Sequence, residues 1–131
     1  MKVLIIGYGS IGKRHHDVLS KFSQIKTIEL VTKQNIETMT CYKSLEYIEN
    51  INEYDYLIIA SETNKHFEQL NYLEEKVKDK LVFCEKPLFE SKKILDVKNN
   101  RVFVGYVLRF HPLLEKLKEF LKNEHIISIN A

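Results

Sequence analysis

The chain has 131 residues, 44% of them hydrophobic and 29% charged, with a formal net charge of +2. That supplies one compact core and leaves no room for two full domains. A near-neutral balance with acids and bases interspersed predicts neither nucleic-acid nor membrane partners, and no apolar stretch approaches the roughly 20 residues of a membrane span. The apolar run at the N-terminus is too short for the core of a signal peptide. Cys41 and Cys84 fit no metal-binding or redox spacing, so no metal is expected. Both are predicted to be reduced thiols of a soluble cytoplasmic protein.

Along the chain, Met1 to Ile6 reads as a buried strand, continuous and rich in β-branched residues. Ser10 to Phe22 reads as a helix with Ile11, Val18, Leu19 and Phe22 on its inner stripe. Lys26 to Val31 is a second strand and Met39 to Tyr42 a short third. A brief helix from Ser44 to Glu49 follows, with Ser44 as its N-cap. Tyr54 to Ala60 is the fourth strand. The next helix runs from about Asn64 to Val77, with Phe67, Leu70, Leu73 and Val77 inward. Lys80 to Cys84 and Arg101 to Val107 are the fifth and sixth strands. Pro112 to Lys122 is an amphipathic helix presenting Leu113, Leu114, Leu117, Phe120 and Leu121, with Pro112 in its first turn. His125 to Ala131 (HIISINA) reads as one more strand. Strands alternating with helices predict an α/β fold with a doubly wound parallel sheet. The division expected is a domain over residues 1–111, with residues 112–131 forming a helix and the first strand of an absent second domain.

Three of the four glycines fall in G-x-G-x-x-G at Gly7, Gly9 and Gly12, directly after the first strand and opening the first helix. That context is the one a dinucleotide-binding Rossmann loop needs. Gly7 makes the turn, Gly9 lets pyrophosphate approach, and Gly12 lets helix and strand pack closely. The N–H groups around Ser10 and Ile11 then meet the phosphates, aided by the helix dipole. An NAD site usually carries an acid about 20 residues beyond the last glycine, to accept from the ribose 2′-OH. Here the second strand ends in Thr32-Lys33-Gln34, with Glu29 too early within it. A carboxylate would repel a 2′-phosphate, whereas Thr32 and Lys33 suit one. The expected cofactor is NADP or NAD, with NADP favoured.

Four segments carry a family resemblance. GYGSIGKRH ends at His15; ASETNKH spans Ala60 to His66; Glu85-Lys86-Pro87 is an E-K-P motif followed by Leu88; VGYVLRFHP spans Val104 to Pro112. Together they resemble the N-terminal half of the Gfo/Idh/MocA oxidoreductases, the glucose-fructose oxidoreductase and inositol dehydrogenase group. Two positions depart from the family pattern: Glu62 replaces the usual loop proline and Val107 the usual asparagine. The segment after Leu88 is also short, leaving one or two helical turns around Lys92 to Val97.

The resemblance implies that Lys86 is the catalytic residue, bonding the substrate hydroxyl and relaying a proton. It implies a cis peptide before Pro87 and cofactor contacts from Ser61, Thr63, His66 and Glu85. His15 is expected to pack rather than react. Arg109 serves bound phosphate or substrate, or pairs with a carboxylate of a second domain. The function implied is hydride transfer between NAD(P) and a sugar, cyclitol or related polyol. Family members carry a second domain that covers the nicotinamide and supplies most substrate contacts. The chain is therefore expected to stop at the start of that domain, to have little activity alone, and to self-associate through its apolar C-terminal end. Two other readings are a non-catalytic dinucleotide-binding module working with a partner chain and, less favoured, an S-adenosylmethionine-dependent transferase.

Overall fold

The apolar N-terminal run forms the centre of a six-stranded, all-parallel sheet in the computed structural model, which describes residues 1–124. The elements are β1 (Lys2–Ile6), α1 (Ser10–Leu19), β2 (Thr27–Val31), β3 (Cys41–Tyr42), β4 (Tyr56–Ile59), α2 (Thr63–Lys76), β5 (Leu81–Cys84), β6 (Arg101–Val104) and α3 (Pro112–Phe120). Single 3-10 turns occupy Leu45–Tyr47, Ile51–Glu53 and Val107–Phe110. The strand order is β3-β2-β1-β4-β5-β6, that of a Rossmann fold. Its direction of winding reverses between β1 and β4, which opens a crevice at the carboxyl ends of the strands.

Side chains alternate across the sheet, so β1 feeds two cores. Leu4 and Ile6 join Leu57, Ile59, Leu70, Leu73 and Tyr54 beneath α2. Val3 and Ile5 join Leu30 and Ile58 on the α1 side. Each fully buried Leu or Ile contributes about 1.5–3 kcal/mol relative to exposure, which makes β1 and β4 the stable centre. Cys84 lies in the first core, where burial pushes its thiol up to about 12, with the charge of Glu85 adding to the effect. Both cysteines are free thiols.

One carboxylate is buried within the sheet. Glu29 accepts from Tyr54 Oη at 2.5 Å and Tyr42 Oη at 3.1 Å, and lies 3.0 Å from Lys2 Nζ. Burial pushes its pKa up, but the bonds from Tyr54, Lys2 and Tyr42 outweigh that and hold the carboxyl below its usual value.

Several local expectations are corrected. The first helix ends at Leu19 rather than Phe22; Ile11 and Val18 on it and Phe22 beyond it are exposed, and the inner stripe is Gly12, His15, His16 and Leu19. The reason is steric: a Cβ on Gly12 would stand 2.1 Å from the carbonyl oxygen of Gly7, so only glycine can face the loop there and it sets the helix rotation. β6 stops at Val104, because Tyr106 N–H turns back to Val104 O and Val107 N–H to Gly105 O. No helix forms over residues 92–97; Lys98 and Asn99 donate their N–H groups to Glu74 Oε2 instead. The third strand shrinks to Cys41–Tyr42 and the helix after it to one 3-10 turn, with Ser44 making no side-chain cap bond. On α2, Leu70 and Leu73 are buried, as is Val77 just past its end, while Phe67 is half-buried against Phe89. Every residue of α3 is exposed, so its apolar side chains cover no core among the described residues. The strand expected over residues 125–131 lies outside the described residues.

Candidate functional site

The loop between β1 and α1 is built on close backbone approach. Gly7 has φ +94°, and a Cβ there would meet the Ser61 backbone at 2.6 Å. Its N–H donates to Val31 O at 2.9 Å, tying the loop to β2. Gly12 backs onto Gly7 from the other side. Gly9 is different: a Cβ would find no atom within 4 Å. It caps α1 in an extended conformation, with no side-chain acceptor and no acidic residue in the first turn. The helix therefore presents unmasked N–H donors and its positive dipole end to open space.

That space is a groove of about 970 Å³. Of the predicted site residues it is lined by Gly7, Gly9, Ser10, Ile11, Thr32, Lys33 and Ser61. These come from the ends of three adjacent strands, at the reversal point of the sheet. Thr32 is nearly buried and its Oγ1 accepts the N–H of Gln34 at 3.2 Å. Gln34 Nε2 donates to Tyr8 O at 2.9 Å, so the segment after β2 is fastened across the mouth of the glycine loop. The opposite wall comes from α2, with Lys65, Gln69 and Tyr72, and from Leu45 and Glu46. Glu62, in place of the proline, lies on the rim and pairs with Lys65 at 2.7 Å. Its hydrogen bond with Lys65 is the main reason its carboxyl is held below the usual range. A dinucleotide fits these residues in kind: an unobstructed helix start, a glycine without steric bulk, and cations rather than an acid beyond β2.

The remaining predicted residues lie outside that groove. His66 is 1% exposed and its ring faces the protein interior. Nδ1 lies 3.1 Å from Pro87 O and 3.2 Å from Leu88 O, and Nε2 lies 3.1 Å from Ser61 O. The imidazole thus straps the loop after β4 to the loop after β5. Glu85 Oε1 lies 2.7 Å from His15 Nε2, and His15 packs edge-on to Phe83. Glu85 Oε2 and Phe83 also crowd Gly105, where a Cβ would meet both at 3.0 Å. The Lys86–Pro87 peptide is cis, and Lys86 is exposed at the end of β5. Thr63 opens α2, half-buried. Arg109 sits exposed in the 3-10 turn before α3.

Sequence reasoning missed Tyr8, Gln34, Lys43 and Lys65 as groove residues. A signal existed for Lys43, since it follows β3 directly and ligand crevices in such folds lie at strand carboxyl ends. It was obscured because β3 is only two residues long.

Comparison with known proteins agrees with this fold. A family model described as oxidoreductase family, NAD-binding Rossmann fold, matches residues 1–106. No curated protein matches the chain. Among solved structures, the WlbA dehydrogenase of Bordetella pertussis, in complex with NADH and UDP-GlcNAcA, is 19% identical with a TM-score of 0.77, covering 92% of this chain and 41% of that one. A probable dehydrogenase of Thermotoga maritima is 26% identical (TM-score 0.70; 94% and 41% covered). An NAD-binding protein of Listeria innocua is 23% identical (TM-score 0.72; 95% and 41% covered). The chain thus spans about two fifths of the length of these structures. With the matched model covering most of the chain, and the glycine loop at the reversal point of a Rossmann sheet, the chain belongs to the Gfo/Idh/MocA oxidoreductase family as an NAD-binding Rossmann domain.

Proposed function

We propose that the groove holds NAD(P), NADP in preference, and that the chain is the cofactor-binding part of an oxidoreductase moving hydride to or from a carbinol carbon of a sugar, cyclitol or related polyol. The observation that carries this reading is the open position at Gly9, where the start of α1 faces the groove with neither side chain nor acid in the way. Pyrophosphate belongs against that helix start, and the adenosine end against Thr32 and Lys33. The nicotinamide supplies the hydride donor or acceptor when bound.

Lys86 is assigned the substrate side of the chemistry. Its side-chain nitrogen would bond the reacting oxygen, taking the hydroxyl proton as the free amine on oxidation and returning it as the ammonium on reduction. His66 holds the backbone just beyond it, and His15 holds the neighbouring Glu85. UDP-GlcNAcA in the Bordetella structure supports a sugar-type substrate. Lys86 and Arg109 are both exposed, so neither is shielded from water, and turnover by these residues alone should be low.

Calorimetric titration with NADPH and NADH tests the reading. Saturable binding of one equivalent, tighter for NADPH, is expected; binding of neither overturns it. A panel of polyols with either cofactor then tests the chemistry. The exposure of Lys86 favours a second reading as well, a dinucleotide module without its own catalysis. Cofactor binding with no turnover by any longer form of the protein would select it.

A further inference from the structure

We propose that Lys43 is a specificity-determining residue of this groove, holding the 2′-phosphate of NADP together with Lys33. This deepens the dinucleotide reading above and rests on it. The backbone register brings the two lysines together: Val31 pairs with Tyr42, and Thr32 N–H donates to Tyr42 O at 2.8 Å. Residue 43 therefore emerges beside residues 32–34. Lys43 Nζ donates to the main-chain oxygens of Lys33 at 3.2 Å and Gln34 at 3.3 Å. An ammonium has three N–H donors, so one remains for a ligand while the other two hold the charge in place.

The surroundings suit an anion. Lys33, Lys43 and Thr32 line the same groove. Of the four carboxylates that line the groove, Glu62 pairs with Lys65 at 2.7 Å, and Glu46, Glu68 and Glu75 are exposed, where solvent and salt screen their charge. Two cations, Lys33 after β2 and Lys43 after β3, the second fixed by carbonyls, would favour a phosphate monoester over a free ribose hydroxyl.

The test compares the unmodified chain with Lys43→Met and Lys43→Arg. The probes are NADPH, NADH, adenosine 2′,5′-bisphosphate and adenosine 5′-monophosphate. Lys43→Met should weaken NADPH and the bisphosphate by about tenfold or more, the range of one charge-assisted bond. NADH and the monophosphate should stay within about twofold, the melting temperature should be unchanged, and Lys43→Arg should restore most of the loss. Equal losses for NADPH and NADH in Lys43→Met, or no loss for either, overturn the role of Lys43 while leaving dinucleotide binding intact. An unmodified chain that binds NADH more tightly than NADPH overturns the cofactor preference and this role with it. One that binds neither overturns the dinucleotide reading itself.

Discussion

Replacing Gly12 with alanine separates the structural glycine from the binding one. The added Cβ would stand 2.1 Å from Gly7 O and 3.0 Å from Gly7 C. Both are backbone atoms, so no flexible side chain can yield, and α1 or the loop must move by about 1 Å to restore normal contact. Overpacking of this kind costs about 1–3 kcal/mol; a backbone-on-backbone clash belongs at the upper end, offset by up to about 1 kcal/mol from alanine's better helix propensity. The net expectation is about 2 kcal/mol of destabilisation. Unfolding entropy near 2.1 cal/mol/K per residue amounts to roughly 0.28 kcal/mol/K for this chain, so the melting temperature should fall by about 7 °C. Gly9→Ala is the paired control. Its φ of −75° and ψ of −163° suit any L residue, and its Cβ meets nothing. That variant should melt at or slightly above the parent temperature yet bind NADPH about tenfold or more weakly, because its methyl enters the groove. Thermal unfolding by circular dichroism and cofactor titration read the two effects. If Gly12→Ala melts with the parent chain, or Gly9→Ala loses as much stability as Gly12→Ala, then close packing does not require glycine at position 12.

Two further perturbations probe the frame around the groove. Glu29 has its folded pKa below its unfolded value near 4.5, so the stability it contributes is complete above 4.5 and drains away as pH falls through the folded value. Glu29→Gln should cost about 1–3 kcal/mol at pH 7 and flatten the loss of stability on acidification; a urea series from pH 7 to pH 3 with parallel slopes for the two chains would count against the network. His66→Ala leaves the carbonyls of Ser61, Pro87 and Leu88 without their shared partner and opens a buried void. It should cost about 2–4 kcal/mol and speed hydrogen exchange around Glu85 and Leu88 more than in β1. Uniform acceleration across the sheet would mean that His66 supports the core generally rather than strapping two loops.

Much of the fold was readable because its signals are local. β1 and β4 are continuous apolar runs, and the glycine spacing reports a turn whose steric demands the backbone bears out at Gly7 and Gly12. Periodicity misled where a single tertiary contact outranked it: Ile11, Val18 and Phe22 share a helical stripe, but Gly12 must face the loop, so that stripe turns to solvent. The residues after Leu88 were read as helical turns, yet Glu74 on α2 collects Lys98, Asn99 and Asn100, a contact spanning 24 to 26 positions. The candidate site was legible along each strand end but not across them. Nothing near Lys43 in the sequence tells that its ammonium meets the carbonyls of residues 33 and 34, since that proximity comes from the pairing of β3 with β2. His66 was singled out by motif, but its three carbonyl contacts depend on the path of the chain through Pro87.

If dinucleotide lies across the start of α1, the backbone amides there must respond to it. Backbone amide chemical shifts of the isotopically labelled chain, recorded during titration with NADP, test it most directly. Saturable shifts are expected at residues 9–12, 32–34, 43 and 61, with β6 and α3 unaffected. No saturable change at those amides, or changes centred elsewhere, would contradict it.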